Sequence, residues 1–345
     1  MRNSSVTITG TAQREAWQRR ILPPAEEVSA GIDSVPVVFP GNPMRYTLSY
    51  VLHDGDECVV VDPGFDSDEG HRQLLSALAH LDIGPNEITG IVATHFHSDH
   101  LGMAARLARD SGAWIALGKN ERRNISVFED AHEESALDRA RMLAWGVPEA
   151  RAAEAAMSPQ GLLDLRRLPD PDRRLGDADI LSVAGRNWRV METPGHTPGH
   201  ICLWDHDGEL VLTGDHILPR ISPNVSLEIR GDTDPLRNNI ESLRRISGND
   251  RYEACPAHEY RFQGVGGRAR QLEVHIEERS REVLDVLSAG ASTVHEVARQ
   301  LTWSRGWESL GGLQFRLALS ETAAHIRYLA TSDIHAGVPG LTPGR

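Results

Sequence analysis

Apolar residues along this chain fall into short clusters separated by turn signals. Positions 35–39, 46–52 and 58–61 read as strands, the last two joined across Asp54-Gly55, a pair suited to a tight hairpin. Past Asp62-Pro63-Gly64, Leu74, Leu75, Leu78 and Leu81 share one side of a helix. A short strand follows at 91–93, then a polar loop at 94–100, a helix at 101–109 and a strand at 113–117. This alternation predicts a layered α/β core. Strands resume at 188–192, 201–204 and 210–213, with a short one at 252–255.

Two stretches break that rhythm. Across 119–171 Glu, Arg and Ala dominate, and Leu137, Ala140, Ala144 and Val147 recur at helical spacing, so two or three inserted helices are expected. That insertion is either a solvated excursion or a lid. Phe128, Met142, Leu143, Trp145 and Met157 favour the lid, because a solvated segment does not need them. After Gly264-Val265-Gly266-Gly267, Leu272, Ile276, Val283 and Leu287 form a helical stripe. Thr293 with Glu296 is a capping-box signature, and a third helix is expected at 313–329. The organisation expected is a polar arm at 1–30 with a short helix near 13–20, a core at 31–267, a helical unit at 268–332 and a loose tail at 333–345.

Composition narrows the class. The 345 residues are 40 % hydrophobic and 25 % charged, typical of a globular protein large enough to bury a core. Cys58, Cys202 and Cys255 stand alone in sequence, which excludes a disulfide framework or a Cys-rich zinc module. No apolar run approaches the ~20 residues of a membrane span, and the first residues lack a signal-peptide core. A cytoplasmic protein is expected. With 36 basic and 49 acidic residues the net charge is −13, which disfavours nucleic acid as a partner.

The chemistry concentrates in four segments. Thr94-His95-Phe96-His97-Ser98-Asp99-His100 places four candidate metal ligands within six residues, directly after a strand. In an extended loop His95 and His97 point to one side and can share an ion. Asp99 and His100, where the chain turns into a helix, can reach a second. Pro194-Gly195-His196-Thr197-Pro198-Gly199-His200, Thr213-Gly214-Asp215-His216 and Pro256-Ala257-His258 each follow another strand. Sites of layered α/β folds gather at such strand ends.

Taken in order, these segments resemble the HxHxDH, PGHTPGH, TGD and late-histidine motifs of metallo-β-lactamase-fold hydrolases. Val61-Asp62-Pro63-Gly64 resembles that family's early VDxG turn. The resemblance covers about 35–259. It implies an α/β fold of the αββα kind: two mixed sheets face to face, helices outside, a metal site at one edge. The C-terminal helices resemble the small winged-helix-like domain of the β-lactamase-like protein 2 branch.

The resemblance also implies roles. His95, His97 and His196 would hold one divalent metal ion, and Asp99, His100 and His258 a second, with Asp215 bridging. Zinc is the first expectation, and iron or manganese would suit the same donors. Asp215 stands where many antibiotic-hydrolysing members carry Cys, which points to glyoxalase II-like or lactonase-like chemistry. Asp62 is expected to orient a ligand histidine, with a turn residue as its other reading. His200 and His216 adjoin ligands with no metal position left for them, so each is expected to back a ligand or to be structural. His216, Arg220, Asn224, Phe128 and Trp145 are candidates for the substrate pocket. Arg220, Ser222 and Asn224 would either touch substrate or seat the C-terminal helices.

The reaction expected is attack of a metal-activated hydroxide on an ester, lactone or thioester, with Asp99 and Asp215 as the catalytic carboxylates. No Gly-x-Ser-x-Gly elbow offers a serine nucleophile instead. Rival readings are a metal-dependent ribonuclease, hydrolytic removal of a halide from an aromatic ring, and a DNA-binding sensor. A small-molecule substrate and a possible homodimer complete the expectation.

Overall fold

The computed structural model describes residues 6–121, 130–228 and 233–332. Strands run in chain order as β1 (Thr7–Ile8), β2 (Glu26–Ser29), β3 (Ile32–Val38), β4 (Tyr46–Asp54), β5 (Glu57–Val61), β6 (Gly90–Ala93) and β7 (Trp114–Gly118). They continue as β8 (Arg173–Leu175), β9 (Ile180–Val183), β10 (Arg186–Glu192), β11 (Ile201–Asp205), β12 (Leu210–Gly214), β13 (Glu253–Pro256) and β14 (Phe262–Gln263). One sheet has the order β2-β3-β4-β5-β6-β7-β8, the other β1-β14-β13-β12-β11-β10-β9. β5 to β8 pair in parallel and β9 to β12 antiparallel, with β12 parallel to β13. Both sheets are therefore mixed.

Period-2 alternation with apolar residues on both faces makes these buried strands. On β4, Tyr46, Leu48, Tyr50 and Leu52 face the second sheet, where they meet Trp188, Val190, Ile201, Leu203 and Leu212. The outer face of the first sheet, with Val51 and Val60, packs on Leu74, Leu78 and Leu107. Those leucines belong to the helices Asp68–His80 and Ala104–Ser111. The outer face of the second, with Cys202, Trp204 and Val211, packs on the helices Pro235–Ile246 and Val265–Ser288. This is the expected αββα sandwich.

Local chemistry explains most departures. The helix expected at 101–109 is two, Ser98–Leu101 and Ala104–Ser111, separated by Gly102, where a Cβ would sit 2.1 Å from the Ser98 carbonyl oxygen. The helix Pro235–Ile246 was not foreseen. Asp234 caps it through the amide of Arg237, and Leu236, Ile240, Leu243 and Ile246 form its buried stripe. At the amino terminus, β1 pairs with β14 and β2 with β3, and the helix Thr11–Arg19 lies between them in sequence.

The insertion contributes three helices among the described residues: Ala131–Ala144, Glu149–Ala155 and Pro159–Arg166. It is no solvated excursion. Met142, Val147, Ala152 and Ala155 share a core with Ala298, Phe315 and Leu319 of the C-terminal helices. A buried ion network ties the same elements, Arg316 meeting Asp138 and, at 2.9 Å, Glu228, while Arg141 meets Asp138 at 2.8 Å. The C-terminal unit comprises Val265–Ser288, Val294–Gln300 and Gly312–Thr331. Among the described residues no strand follows β14, so no β-hairpin wing accompanies these helices. No helix among them is long and apolar enough to cross a membrane.

Candidate metal centre

Four strand ends deliver the candidate ligands to one edge of the sandwich. β6 stops at Ala93 and runs into His95 and His97, and Asp99 and His100 lie in the short helix Ser98–Leu101. His196 follows β10, Asp215 follows β12 and His258 follows β13. Gly214 sits at φ +49°, and a Cβ there would lie 2.5 Å from Thr94 Oγ1 and 2.7 Å from His200 Nε2. Only glycine lets the Asp215 turn close against the histidine loop.

The seven side chains converge as two overlapping clusters. Nδ1 of His97 lies 3.0 Å from Nε2 of His95 and 3.1 Å from Nε2 of His196. Nε2 of His258 is 3.4 Å from Asp99 Oδ2 and 3.4 Å from Asp215 Oδ1. Asp215 Oδ2 is 3.7 Å from Nε2 of both His100 and His196. Asp215 thus touches both clusters. The sets His95/His97/His196, His95/His100/Asp215 and Asp99/His100/His258 each bring their donor atoms within 4.8 Å of one another.

The donors fit a cation. Metal–nitrogen bonds of about 2.0–2.1 Å in a tetrahedron put donors roughly 3.3 Å apart, close to the spacing of the imidazole trio. Nε2 of His100 and Oδ1 of Asp215 are buried without a hydrogen-bond partner, a costly arrangement that a cation relieves. The far nitrogens are anchored. His196 Nδ1 donates to the Asn224 carbonyl at 2.7 Å, and His258 Nδ1 to the Tyr46 carbonyl at 3.0 Å. His100 Nδ1 meets Asp62 Oδ2 at 3.0 Å, and His95 Nδ1 meets Thr94 Oγ1 at 3.1 Å. Anchoring of this kind fixes the tautomer and aims the other nitrogen at an ion.

Electrostatics divides the cluster. Burial, then the neighbouring His196, holds His97 down at about 3. Burial likewise lowers His95 and His196, so all three offer neutral lone pairs. Against burial, Asp215 and Asp99 push His258 up to about 10, and Asp62, Asp215 and Asp99 push His100 well up. Against burial too, His258 and His100 hold Asp215 well below the carboxylate range, and the same imidazoles hold Asp99 below it.

Behind the donors, Asp62 does more than turn the chain. It adopts φ 50°, and its two oxygens accept from the amide of Thr94 at 2.7 Å and its hydroxyl at 2.9 Å, besides meeting His100. His200 accepts from the Asp215 amide at 3.2 Å and gives its other nitrogen to Thr193 Oγ1 at 2.8 Å. His216, a candidate for the pocket, is instead fully buried, its ring 6.0 Å from that of His200. Trp145 packs on the core shared by the insertion and the C-terminal helices, under the Arg141 guanidinium. Trp303, Trp307 and Leu310 pack on the same core, so the tryptophan is half-buried among apolar side chains there. Phe128 lies outside the described residues.

Asn224 does line the cleft beside His97 and His196, with Phe96, Pro198 and Leu317. Ser222 lines a small cleft together with Leu272 and Glu321 of the C-terminal helices. Arg220 lies on the opposite flank, 2.7 Å from buried Glu259. Sequence reasoning missed Thr94, Thr193, Glu259 and Glu321. Of these, only Thr94 and Glu259 carried a signal, as immediate neighbours of His95 and His258.

Comparison with known proteins agrees with this geometry. The model of the metallo-beta-lactamase superfamily matches residues 43–258, more than half of the chain. The probable metallo-hydrolase YqjP of Bacillus subtilis is 27 % identical over 82 % of this chain and 87 % of its own. The atrochrysone carboxyl ACP thioesterase of Aspergillus fumigatus is 24 % identical over 77 % of this chain and 69 % of its own. The crystal structure of a metallo-beta-lactamase family protein from Thermus thermophilus superimposes with a TM-score of 0.75 at 27 % identity, covering 88 % of this chain and 94 % of that one. Motif order, sandwich topology and the match across 43–258 together place the chain in the metallo-beta-lactamase superfamily, as a metal-dependent hydrolase.

Proposed function

We propose that the chain hydrolyses an acyl bond, a thioester ahead of an ester or lactone, with two divalent cations. One would be held by His95, His97 and His196, the other by Asp99, His100 and His258. The position of Asp215 carries the reading, because its carboxylate reaches His196 on one side and His100 and His258 on the other. Two bound cations supply a Lewis acid and bring the pKa of water from about 15.7 toward 7, so no Ser or Cys nucleophile is needed. Zinc suits the mixed imidazole and carboxylate donors, as do iron and manganese.

The side chains divide the remaining work. Asp99 is ionised, and its carboxylate accepts a proton from the attacking water and hands it to the departing sulfur as the carbon–sulfur bond breaks. The carbonyls of Asn224 and Tyr46 and the carboxylate of Asp62 keep three imidazoles in register. Phe96, Pro198 and Leu317 give the cleft beside His97 an apolar wall for the acyl chain. The thioesterase named among the relatives favours sulfur as the leaving atom.

The test is a panel of aryl ester, lactone and acyl thioester substrates, run on protein loaded separately with zinc, iron or manganese and with its metal content measured. Two equivalents of metal and highest kcat/KM on the thioester are expected. Inactivity across the panel, or failure to retain metal, overturns the reading.

A further inference from the structure

On the His258 flank, away from the acyl cleft, lies a cavity of about 610 Å³, within the range of small-molecule sites. Arg14, Arg20, Arg45, Arg220 and Arg305 line it. In a chain of net charge −13 this gathering of cations is out of character. The five come from separate places: the helix Thr11–Arg19 and its C-cap, the β3–β4 connection, the loop after β12, and the segment between the helices Val294–Gln300 and Gly312–Thr331. Among the described residues only Arg220 of the five has an ion pair, and both oxygens of its partner, Glu259, are turned to it. One carboxylate oxygen faces the Arg220 guanidinium at 2.7 Å, and the other accepts the Arg220 amide at 3.2 Å.

The rest of the cavity is prepared for a ligand. Arg45 lies 4.1 Å over the Trp17 ring and donates to the Trp17 carbonyl at 3.1 Å, which fixes its planar fork. Its Nη1 is buried with no hydrogen-bond partner. Trp17 and Tyr260 add aromatic wall. Mutual repulsion of five guanidinium groups is relieved by a multiply charged anion, and the Arg fork matches phosphate oxygens.

The cavity is also joined to the metal centre. Arg45 directly precedes Tyr46, whose carbonyl accepts from His258. Tyr260 is two residues past His258, which the backbone limits to about 7 Å between α-carbons. Arg220 is on the loop that leaves Asp215.

We propose that this cavity binds the phosphate or diphosphate end of the substrate's leaving group. This rests on the acyl-hydrolase reading and gives it a substrate class: an acyl thioester whose thiol half is phosphorylated. The acyl chain then lies in the apolar cleft beside His97 and His196. The thiol half extends past His258 to the arginines.

Two measurements on the metal-loaded protein test this. The first is calorimetric titration with inorganic pyrophosphate. Arg14→Glu/Arg305→Glu should weaken the affinity at least tenfold, whereas Arg109→Glu/Arg167→Glu, the same charge change outside the cavity, should alter it less than twofold. Equal affinity in wild type and Arg14→Glu/Arg305→Glu overturns the cavity, since what binds is then at the metals. The second compares S-acetyl-phosphopantetheine with S-acetyl-pantetheine, which differ by one phosphate. The ratio of their kcat/KM values should fall at least tenfold in Arg14→Glu/Arg305→Glu, and an unchanged ratio overturns the substrate assignment. If neither thioester is cleaved while pyrophosphate binding still depends on the arginines, the acyl reading falls and the anion site stands.

Discussion

His196 donates its Nδ1 proton to the backbone carbonyl of Asn224 at 2.7 Å, and Asn224 is itself held by the C-terminal helix. Its side-chain amide donates to Glu321 Oε2 at 3.1 Å. Three residues on, the Leu227 amide donates to the Ser320 carbonyl at 3.1 Å, and the Leu227 carbonyl accepts from Arg141 of the insertion at 2.9 Å. The segment that aims a candidate ligand is therefore strapped down by both parts of the chain that lie outside the two sheets.

Glu321→Ala should loosen that strap. Loss of an outer partner of a ligand histidine typically costs 10–100-fold in metal affinity, and a value near the lower end is expected because the Asn224 carbonyl itself remains. Glu321→Gln keeps an acceptor for the Asn224 amide and should recover most of the loss. Competition with a chelator reads both. Equal affinities in wild type and Glu321→Ala would show the strap to be irrelevant.

Asp62→Ala removes the acceptor of His100 and two bonds that hold the Thr94 turn. Asp62 is buried, so its loss leaves several donors unpaired at once. On the two-cation reading proposed above, one of the two equivalents should become labile, with affinity lower by 10–100-fold. Asp62→Asn, which keeps an oxygen for the Thr94 amide, should be milder. Elemental analysis after dialysis distinguishes them.

Much of this centre could be read from sequence because its parts are local. His95 to His100 are neighbours, and the other candidate ligands, His196, Asp215 and His258, each come within four residues of the end of a strand that turn signals mark off. The partners that aim the ligands were illegible for the opposite reason. Glu321 lies 97 positions from Asn224 and holds it with a single hydrogen bond that leaves no periodic mark. The strand β8, two exposed arginines and the buried Leu175, is too short for its one apolar residue to announce it. The insertion's aromatic excess was visible, but its destination was not. Trp145 found the C-terminal core, a contact that no pattern within 119–171 encodes.

Arg316 holds that contact together. It is almost fully buried and pairs with Asp138, also buried, and with Glu228. Asp138 further accepts from the Met157 amide at 2.8 Å, so a carboxylate of the first inserted helix also holds the connection between the other two. Arg316→Met leaves buried Asp138 with Arg141 as its remaining cation, and a loss of about 3 kcal/mol, the lower end for breaking a buried pair, is expected. Asp138→Leu/Arg316→Met removes both charges and should cost less than Arg316→Met alone. Urea unfolding of wild type, Arg316→Met and the double variant measures this, and a double variant no more stable than Arg316→Met would contradict it.

The last prediction concerns pH and lies away from the metal centre. His325 of the helix Gly312–Thr331 is buried, its Nδ1 2.9 Å from Ser280 Oγ on the helix Val265–Ser288. Burial, then the charges of Arg279 and His275, holds it at about 3, with Glu282 opposing weakly. An unfolded histidine titrates near 6.5, so between 6.5 and about 3 the unfolded chain binds the extra proton. Stability from this residue is complete above 6.5 and is lost as pH falls toward 3. Between pH 7 and pH 5 the loss is about 2 kcal/mol. His325→Gln keeps a partner for Ser280 but cannot take up that proton, so the fall in stability over the same interval should shrink by about that amount. Urea titrations at pH 7 and pH 5 on wild type and His325→Gln decide it. An identical fall in both would mean that His325 opens to water in the native state before it protonates.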